Sequence, residues 1–543
     1  MRTHTRTYAA GMLTTFWDEQ RRMLHAKKGT KWHPQVLYYC LWLWIRIGRK
    51  PFNTLRKILV LPSQRTLQMY KARIPHGDGY QSDLVQEVGR LWSQSAKTRS
   101  DYDCIISWDA TGYSKLLSFD KHSGSLLGFG VSPESFSMVH IFANKVNCFV
   151  VRSPQKHIKI EFPIAYYHCS NLDSADIRRQ WFDVMEAVDS IGLRPVALVC
   201  DGASEHAKFF NMILRETAAK DPGLLVRLGD MWVISDPPHL LKKFRNNWLS
   251  SGQLPRHTRQ LYMDGCLISW KIIEVVYRLA NTERMLRILP KLIEDAVDPT
   301  SVMRLRVRLA AIVFSKEVQL FISRNITQVA DKAGVREEDV SATLEFMKMV
   351  WELFQIMNST KPFTWTTDQD NDGKPIGLRD KLDVSKGLTL NAFSKQYGVS
   401  VDYLKEVSGL GASFDVPDSG STIIIDRCER LLHIARYFKN WRERVYSLPD
   451  ISDSEKEKLF ITHWLYTDLR RCCYGMVGML RQYVPRTDRC WVPRRFNQDP
   501  IEKLYGKVRE LSGSNTDLTM RSVDYAFDQV RSLGLQSVKY VIP

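Results

Sequence analysis

The sequence predicts an α/β protein: a layer of strands and helices, a long helical block, and a basic helical region in front of both. Three observations carry this. Short apolar runs at 104–108, 195–200 and 232–235 each end at an aspartate, with helix-period stretches between them. Strand signals vanish over 250–480. The formal net charge is +18 on 543 residues, and residues 1–100 hold 18 Lys and Arg against 5 Asp and Glu.

The basic region comes first. A net +13 of the +18 lies in the first hundred residues, so a near-neutral body follows a cationic module suited to nucleic acid or another anionic surface. Residues 33–46 read as a buried helix with Pro34 near its start. Next come 51–59, the break Leu61-Pro62-Ser63, and a second helix from Gln64 to Lys71 with Ser63 as its N-cap. A short helix, a turn and a helix with polar and basic first turns form a helix-turn-helix pattern, which directs Arg65, Gln68 and Lys71 at a DNA groove or phosphates. A second basic concentration, Arg470, Arg471, Arg481, Arg486, Arg489, Arg494 and Arg495, is locally opposed by Asp488 alone.

The α/β layer reads from residue 103. Strands are expected at 104–108, 125–130 and 146–151, followed by a helix over 173–191 with Ile177, Trp181, Val184 and Val188 at helical spacing. The run 195–200 is apolar throughout, as in a strand buried on both faces. Beyond residue 250, helices are expected at 276–292, 302–321, 340–357 and 423–441, with a polar loop at 366–374.

The ten cysteines form no C-x-x-C pair and no zinc-finger spacing. The longest apolar window, 36–45, is too short to span a bilayer, and no signal peptide is read at the N-terminus. The expectation is a reduced, soluble, intracellular protein with no membrane partner.

The chemistry is expected at the strand ends. Asp109 and Asp201 each follow an apolar strand, where ligands gather in open α/β sheets. Asp201-Gly202 is equally a good turn on its own. Two carboxylates side by side in a basic protein point to a metal site for phosphodiester chemistry. A third acid is available in Glu502, in the first turn of a helix begun by Pro500 with Asp499 as N-cap. Asp236 and His239 stand at the next strand end, where a turn with a helix cap accounts for them as well as a site does.

Six motifs then occur in order: Leu61-Pro62-Ser63-Gln64-Arg65-Thr66-Leu67, Ser107-Trp108-Asp109, Cys200-Asp201-Gly202-Ala203-Ser204, Ser235-Asp236-Pro237-Pro238-His239-Leu240-Leu241-Lys242, Met357-Asn358-Ser359 and Asn497-Gln498-Asp499-Pro500-Ile501-Glu502. Together they make the chain, over roughly 30–530, resemble the P-element-type transposases, which include THAP-domain-containing relatives. The resemblance implies an RNase H-like core interrupted by a large all-α insertion that binds guanine nucleotide. It implies a basic helix-turn-helix region over 1–100, core over 101–245, insertion over 246–485, and the last part of the core over 486–543. Asp109, Asp201 and Glu502 correspond to the family's catalytic acids and would hold two Mg2+ ions, with Asp499 set to contact nucleotide or metal. Expected partners are double-stranded DNA, at transposon ends and target, GTP, and further copies of the chain; the expected compartment is the nucleus. The cysteine and histidine set of a THAP zinc finger is not expected in this chain, and no Walker A pattern is present; Gly409-Leu410-Gly411 is no substitute for one. The competing reading is a domesticated, non-catalytic DNA-binding or regulatory protein that keeps the fold. A GTP-regulated protein unrelated to DNA is disfavoured by the basic N-terminal block.

Overall fold

The strand Asp103–Gly112 pairs antiparallel with Lys145–Arg152 from Ile105↔Arg152 to Gly112↔Lys145. Lys145–Arg152 in turn pairs with Glu161–Cys169, and that strand carries the short edge strand Gly79–Tyr80. In this computed structural model the described residues are 2–27, 30–71, 78–115, 118–120, 125–127, 129–130, 141–170, 174–217, 224–252, 258–281, 288–361, 422–483, 491–511 and 518–541. The polar loop at 366–374, Gly409-Leu410-Gly411, Arg486, Arg489 and the Lys71 side chain lie outside them. The chain divides into two units: Met1–Ser153 with His157–Pro195 and Gln498–Pro543, and Pro154–Lys156 with Val196–Asn497.

In the first unit, alternate residues of the antiparallel sheet bury on opposite faces. Val146, Cys148, Val150 and Tyr166 meet Ile501, Leu504, Tyr505, Val508 and Phe527 from the helices Asp499–Leu511 and Met520–Val541. On the other face Trp108 stacks on Phe149, with ring centroids 5.4 Å apart. The Trp108 indole donates to Asn147, and the Asn147 amide donates to Gln180 at 2.7 Å on the helix Ser174–Ser190. That chain satisfies polar groups which would be costly to bury alone.

The third strand of this sheet is Glu161–Cys169, not 125–130. Residues 125–127 and 129–130 pair instead in two separate two-stranded pieces, with 118–120 and 141–142. Pro163 obscured the true strand, since proline removes a ladder donor. It is tolerated because the register shifts between Phe149 and Val150, making a bulge where proline fits.

The basic N-terminal helices share a core of Val36, Leu37, Leu41, Phe52, Leu61 and Leu67. Helix Arg49–Leu55 is followed by helix Gln64–Lys71, and the Ser63 hydroxyl accepts the Thr66 amide at 3.1 Å, as its N-cap position requires. The Gln64 side chain donates to Asn53 at 2.8 Å and ties the two helices together. The Gln20 amide bonds both backbone groups of Val60, at 2.7 and 2.9 Å, and so pins the helix Arg2–Leu24 to the turn. Arg65 and Gln68 are exposed on the second helix.

In the second unit, Arg194–Cys200 runs parallel to Met231–Ser235, as their apolar composition predicts. Helix His463–Tyr483 lies close over Met231–Ser235 because Gly475 and Gly478 present no side chain. A Cβ on Gly475 would stand 2.2 Å from the Val233 carbonyl oxygen, and one on Gly478 2.2 Å from the Trp232 ring. A cluster of aromatic rings, with Trp248 against Trp270 at 5.0 Å and Trp441 against Phe460 at 4.9 Å, fills the helical part.

The helical stretch differs from expectation in three places. The expected helix 302–321 is broken into Val307–Phe314 and Lys316–Arg324 by an extended Ser315, and Gln319 donates to the stranded Phe314 carbonyl at 2.8 Å. The expected helix 276–292 is Lys271–Ala280, where the Asn281 side chain caps the Tyr277 carbonyl at 2.8 Å. The stretch is not purely helical either. Tyr262–Met263 and Cys266–Leu267 form a hairpin on Asp264-Gly265, both with positive φ (52° and 79°), a turn that an Asp-Gly pair favours.

Eight of the nine described cysteines are buried and pack as small hydrophobes. Burial pushes the Cys40, Cys200 and Cys428 thiols up to about 12, away from reactive thiolates. Among the described residues no helix is long and apolar enough to cross a membrane.

The glycine contacts predict opposite outcomes at two positions. Gly475→Ala should destabilise the protein by about 1–3 kcal/mol, because a strand backbone must move. Gly506→Ala, where nothing lies within 4 Å of the added methyl, should be neutral or stabilising by up to about 1 kcal/mol. Urea unfolding midpoints of the two variants check this.

Candidate active site

In the first unit Asp109 faces the helix that carries Glu502. Asp109 pairs with Cys148, so its side chain shares the sheet face that Ile501, Leu504, Tyr505 and Val508 cover. Burying those four side chains is worth about 1.5–3 kcal/mol each, which seats the helix firmly. Polar contacts set its position along the strand. Gln498 Nε2 donates to the Trp108 carbonyl at 2.6 Å, Tyr505 Oη to the Asp109 carbonyl at 2.9 Å, and Arg509 to Thr111 Oγ1 at 3.3 Å. Burial raises the Tyr505 phenol well above its ordinary range, so it stays a donor.

With its neighbours at 501, 504, 505 and 508 turned inward, Glu502 is exposed in the first turn, and Asp109 is half-buried with Oδ1 accepting the Ala110 amide at 2.8 Å. The helix begins one residue earlier than expected, at Asp499. The Gln498 carbonyl accepts the Ile501 and Glu502 amides at 2.9 and 3.1 Å, so Gln498 rather than Asp499 holds the capping position.

In the second unit Asp201 follows the strand Arg194–Cys200 directly. Its Oδ1 accepts the Ala203 amide at 2.8 Å and His206 Nδ1 at 3.0 Å. The Ala203 amide also lies 3.2 Å from His206 Nδ1, but one nitrogen cannot both donate and accept, and the shorter contacts to the carboxylate assign the Nδ1 proton to Asp201. Burial by itself would raise the Asp201 carboxyl. The His206 hydrogen bond, the charges of His206 and His239 and the Ala203 amide outweigh it, holding the group well below the usual carboxylate range and therefore ionised.

The turn after Asp201 is clamped from below. Lys243 Nζ donates to the Asp201 carbonyl and to Asp468 Oδ2, both at 2.7 Å. Asp468 Oδ1 accepts from Arg471 at 3.1 Å and from Ser235 Oγ at 3.2 Å. Gly202, at φ +71°, leaves room for that carboxylate; a Cβ there would lie 2.5 Å from Asp468 Oδ1. Asp236 caps the helix Pro237–Leu249, accepting the His239 amide at 2.8 Å and the His239 ring at 2.7 Å. Burial lowers and the Asp236 contact raises the His239 imidazole, with the net shift upward.

Two arginines of the concentration expected to face Asp488 alone are paired with other acids, one three residues before Arg471 on its own helix and one 52 residues before Arg481. Arg471 meets Asp468, and Arg481 meets Glu429 at 3.4 Å. Sequence reasoning also missed Gln498, Tyr505, His206, Lys243 and Asp468. Two signals were available: His206 lies in the first turn after Asp201-Gly202, and Asp468 with Arg471 is an i,i+3 pair of opposite charge on one helix.

Asp109 and Glu502 in the first unit, and Asp201 in the second, each offer carboxylate oxygens, hard donors of the kind that suit a divalent cation such as Mg2+. Among the described residues no group of three or more His, Cys, Asp or Glu side chains is placed to hold a metal ion.

The fold defines a class. Residues 78–213 match the TNP-like RNase H N-terminal domain, and residues 238–370 match the TNP-like GTP-binding insertion domain. The chain thus has an RNase H-like core with a largely helical insertion. It resembles the P-element-type transposases. It is 30% identical over 314 residues to the Transposable element P transposase of Drosophila melanogaster, a match that takes in 58% of this chain and 37% of that protein. The chain thus matches little more than a third of that relative's length. The solved Drosophila P element transposase strand transfer complex has the same fold, with a TM-score of 0.64 at 18% identity over 97% of this chain and 98% of that one.

The clamp beneath Asp201 makes a stability prediction. Asp468→Ala leaves the buried Arg471 and the half-buried Lys243 without their acid and should cost about 3 kcal/mol. Lys243→Met, which leaves Asp468 paired with Arg471, should cost distinctly less. Guanidinium denaturation of the two variants, compared with the parent, checks the order.

Proposed function

We propose that this protein is a metal-dependent DNA transposase that cleaves transposon ends and joins them to target DNA, with Asp109, Asp201 and Glu502 as its catalytic acids. The observation that carries the reading is positional. Asp109 and Asp201 both fall inside the stretch matching the RNase H N-terminal domain, each at a strand, and Glu502 returns after the stretch matching the insertion. Two Mg2+ ions bound by these carboxylates would lower the pKa of a water or a DNA 3′-hydroxyl and offset charge on the leaving oxygen.

The chain's own contribution is orientation and charge. His206 and the Ala203 amide keep the Asp201 carboxylate ionised, and Gln498 and Tyr505 hold the Glu502 helix along the Asp109 strand. Asp499, one turn from Glu502, is assigned to contact with nucleotide or metal, and GTP to the 238–370 stretch. Arg65 and Gln68, on the exposed side of their helix, and Lys71 are assigned to DNA, with the +13 of the first hundred residues supplying non-specific attraction to phosphates. Assembly of several copies on paired DNA ends, and a nuclear location, follow from this reading. So do the domain limits 1–100, 101–245, 246–485 and 486–543.

The test is a nicking and strand-joining assay on transposon-end duplexes with Mg2+, with and without GTP. Asp109→Asn, Asp201→Asn and Glu502→Gln should each remove cleavage while DNA binding persists. Cleavage surviving in Asp201→Asn would sink the site assignment. Salt-sensitive DNA binding by the parent chain without any nicking would favour the non-catalytic, regulatory reading instead.

A further inference from the structure

The second unit carries an alternating row of tyrosines and arginines unrelated to the acids. Helices Thr422–Tyr446 and His463–Tyr483 each contribute. The Arg442 guanidinium lies 4.5 Å from the Tyr446 ring centroid and 5.5 Å from that of Tyr466. Arg470 lies 5.5 Å from the Tyr466 ring centroid and 5.9 Å from that of Tyr474. Tyr466 is buried, while Arg442, Tyr446, Arg470 and Tyr474 reach partway into solvent. Lys439 adds a third cation beside the row, against Glu443 at 3.9 Å.

Stacking over a ring fixes the plane of a guanidinium and lowers the entropy lost when it binds. The in-plane N–H edge is the part of the group that matches a phosphate, so arginines held this way are preorganised for a row of anions. Exposed ring edges next to them suit nucleotide bases or sugars.

We propose that the Tyr446–Arg442–Tyr466–Arg470–Tyr474 row is a docking surface for the phosphodiester backbone of DNA. None of its residues belongs to the basic N-terminal helices or to the carboxylates assigned to catalysis. The inference rests on the DNA-acting function proposed above. The chemistry it recognises is phosphate in a chain, and a guanine nucleotide presents phosphates too, so the experiment has an arm for each.

The full-length protein is titrated with fluorescent duplex DNA across a salt series, and separately with a fluorescent GTP analogue. The probes are Arg442→Gln/Arg470→Gln together, and Arg442→Lys/Arg470→Lys together. Each variant is first matched to the parent by circular dichroism and thermal melt. The glutamine pair should bind duplex DNA about tenfold more weakly and flatten the slope of log affinity against log salt by about 2, one counterion release per lost phosphate contact. The lysine pair, which keeps charge but loses the stacked plane, should retain most of that slope. GTP-analogue affinity should not change in either. An unchanged salt slope in the glutamine pair overturns the proposal, as does a loss confined to the GTP analogue. If the parent chain itself binds no duplex DNA, the functional reading above fails with it. If the parent binds and the variants do not differ from it, only this surface fails.

Discussion

Burial of one helix face against alternate residues of a sheet is the constraint on which the first unit depends. Ile501, Leu504, Tyr505 and Val508 occupy one stripe of the helix Asp499–Leu511, and Val146, Cys148 and Val150 occupy one face of their strand. Because strand side chains alternate, the same face holds Asp109, directly opposite Cys148 in the paired strand. Because helix side chains recur every three or four residues, Glu502 cannot join the buried stripe and is turned outward. The hydrophobic effect is non-directional, so it seats the helix without choosing its axial position. That choice falls to three polar contacts, from Gln498, Tyr505 and Arg509 to successive parts of the Asp109 strand.

The second unit solves a different problem with charge. Asp201 follows a strand buried from Val196 to Cys200, at a turn whose glycine allows a left-handed backbone and the close approach of another carboxylate. An acid as buried as Asp468 is tolerable only with compensation, which Lys243, Arg471 and Ser235 provide. Since Lys243 also holds the Asp201 carbonyl, the same ion pair that stabilises the helix packing fixes the backbone on which Asp201 stands. Gly475 and Gly478 make this geometry reachable, because a larger residue at either would lift the helix carrying Asp468 away from the strand.

Much of this was legible in the residues. Apolar runs closing on aspartate located the strand before Asp201 and the strand at Asp109, which runs on to Gly112 rather than ending there, and Ser63 located the start of the second N-terminal helix. The failures have equally local causes. Pro163 disguises a strand whose bulge accommodates it, and the Asp264-Gly265 turn lies inside a stretch that otherwise carries only helical periodicity. The break at Ser315 left no signal in hydrophobic periodicity, since the apolar positions continue on both sides of it.

By itself the sequence determined the kinds of element, the order in which the acids occur, and the concentration of positive charge in the first hundred residues, because these depend on local periodicity, turn chemistry and composition. Only the tertiary structure decided which charges compensate one another. Asp468 with Lys243 is separated by 225 residues, Tyr505 from Asp109 by 396, and Arg481 finds Glu429 52 residues away. Ion pairing and side-chain hydrogen bonding act over a few ångströms in space and carry no fixed period along the chain, so their partners are set by packing alone.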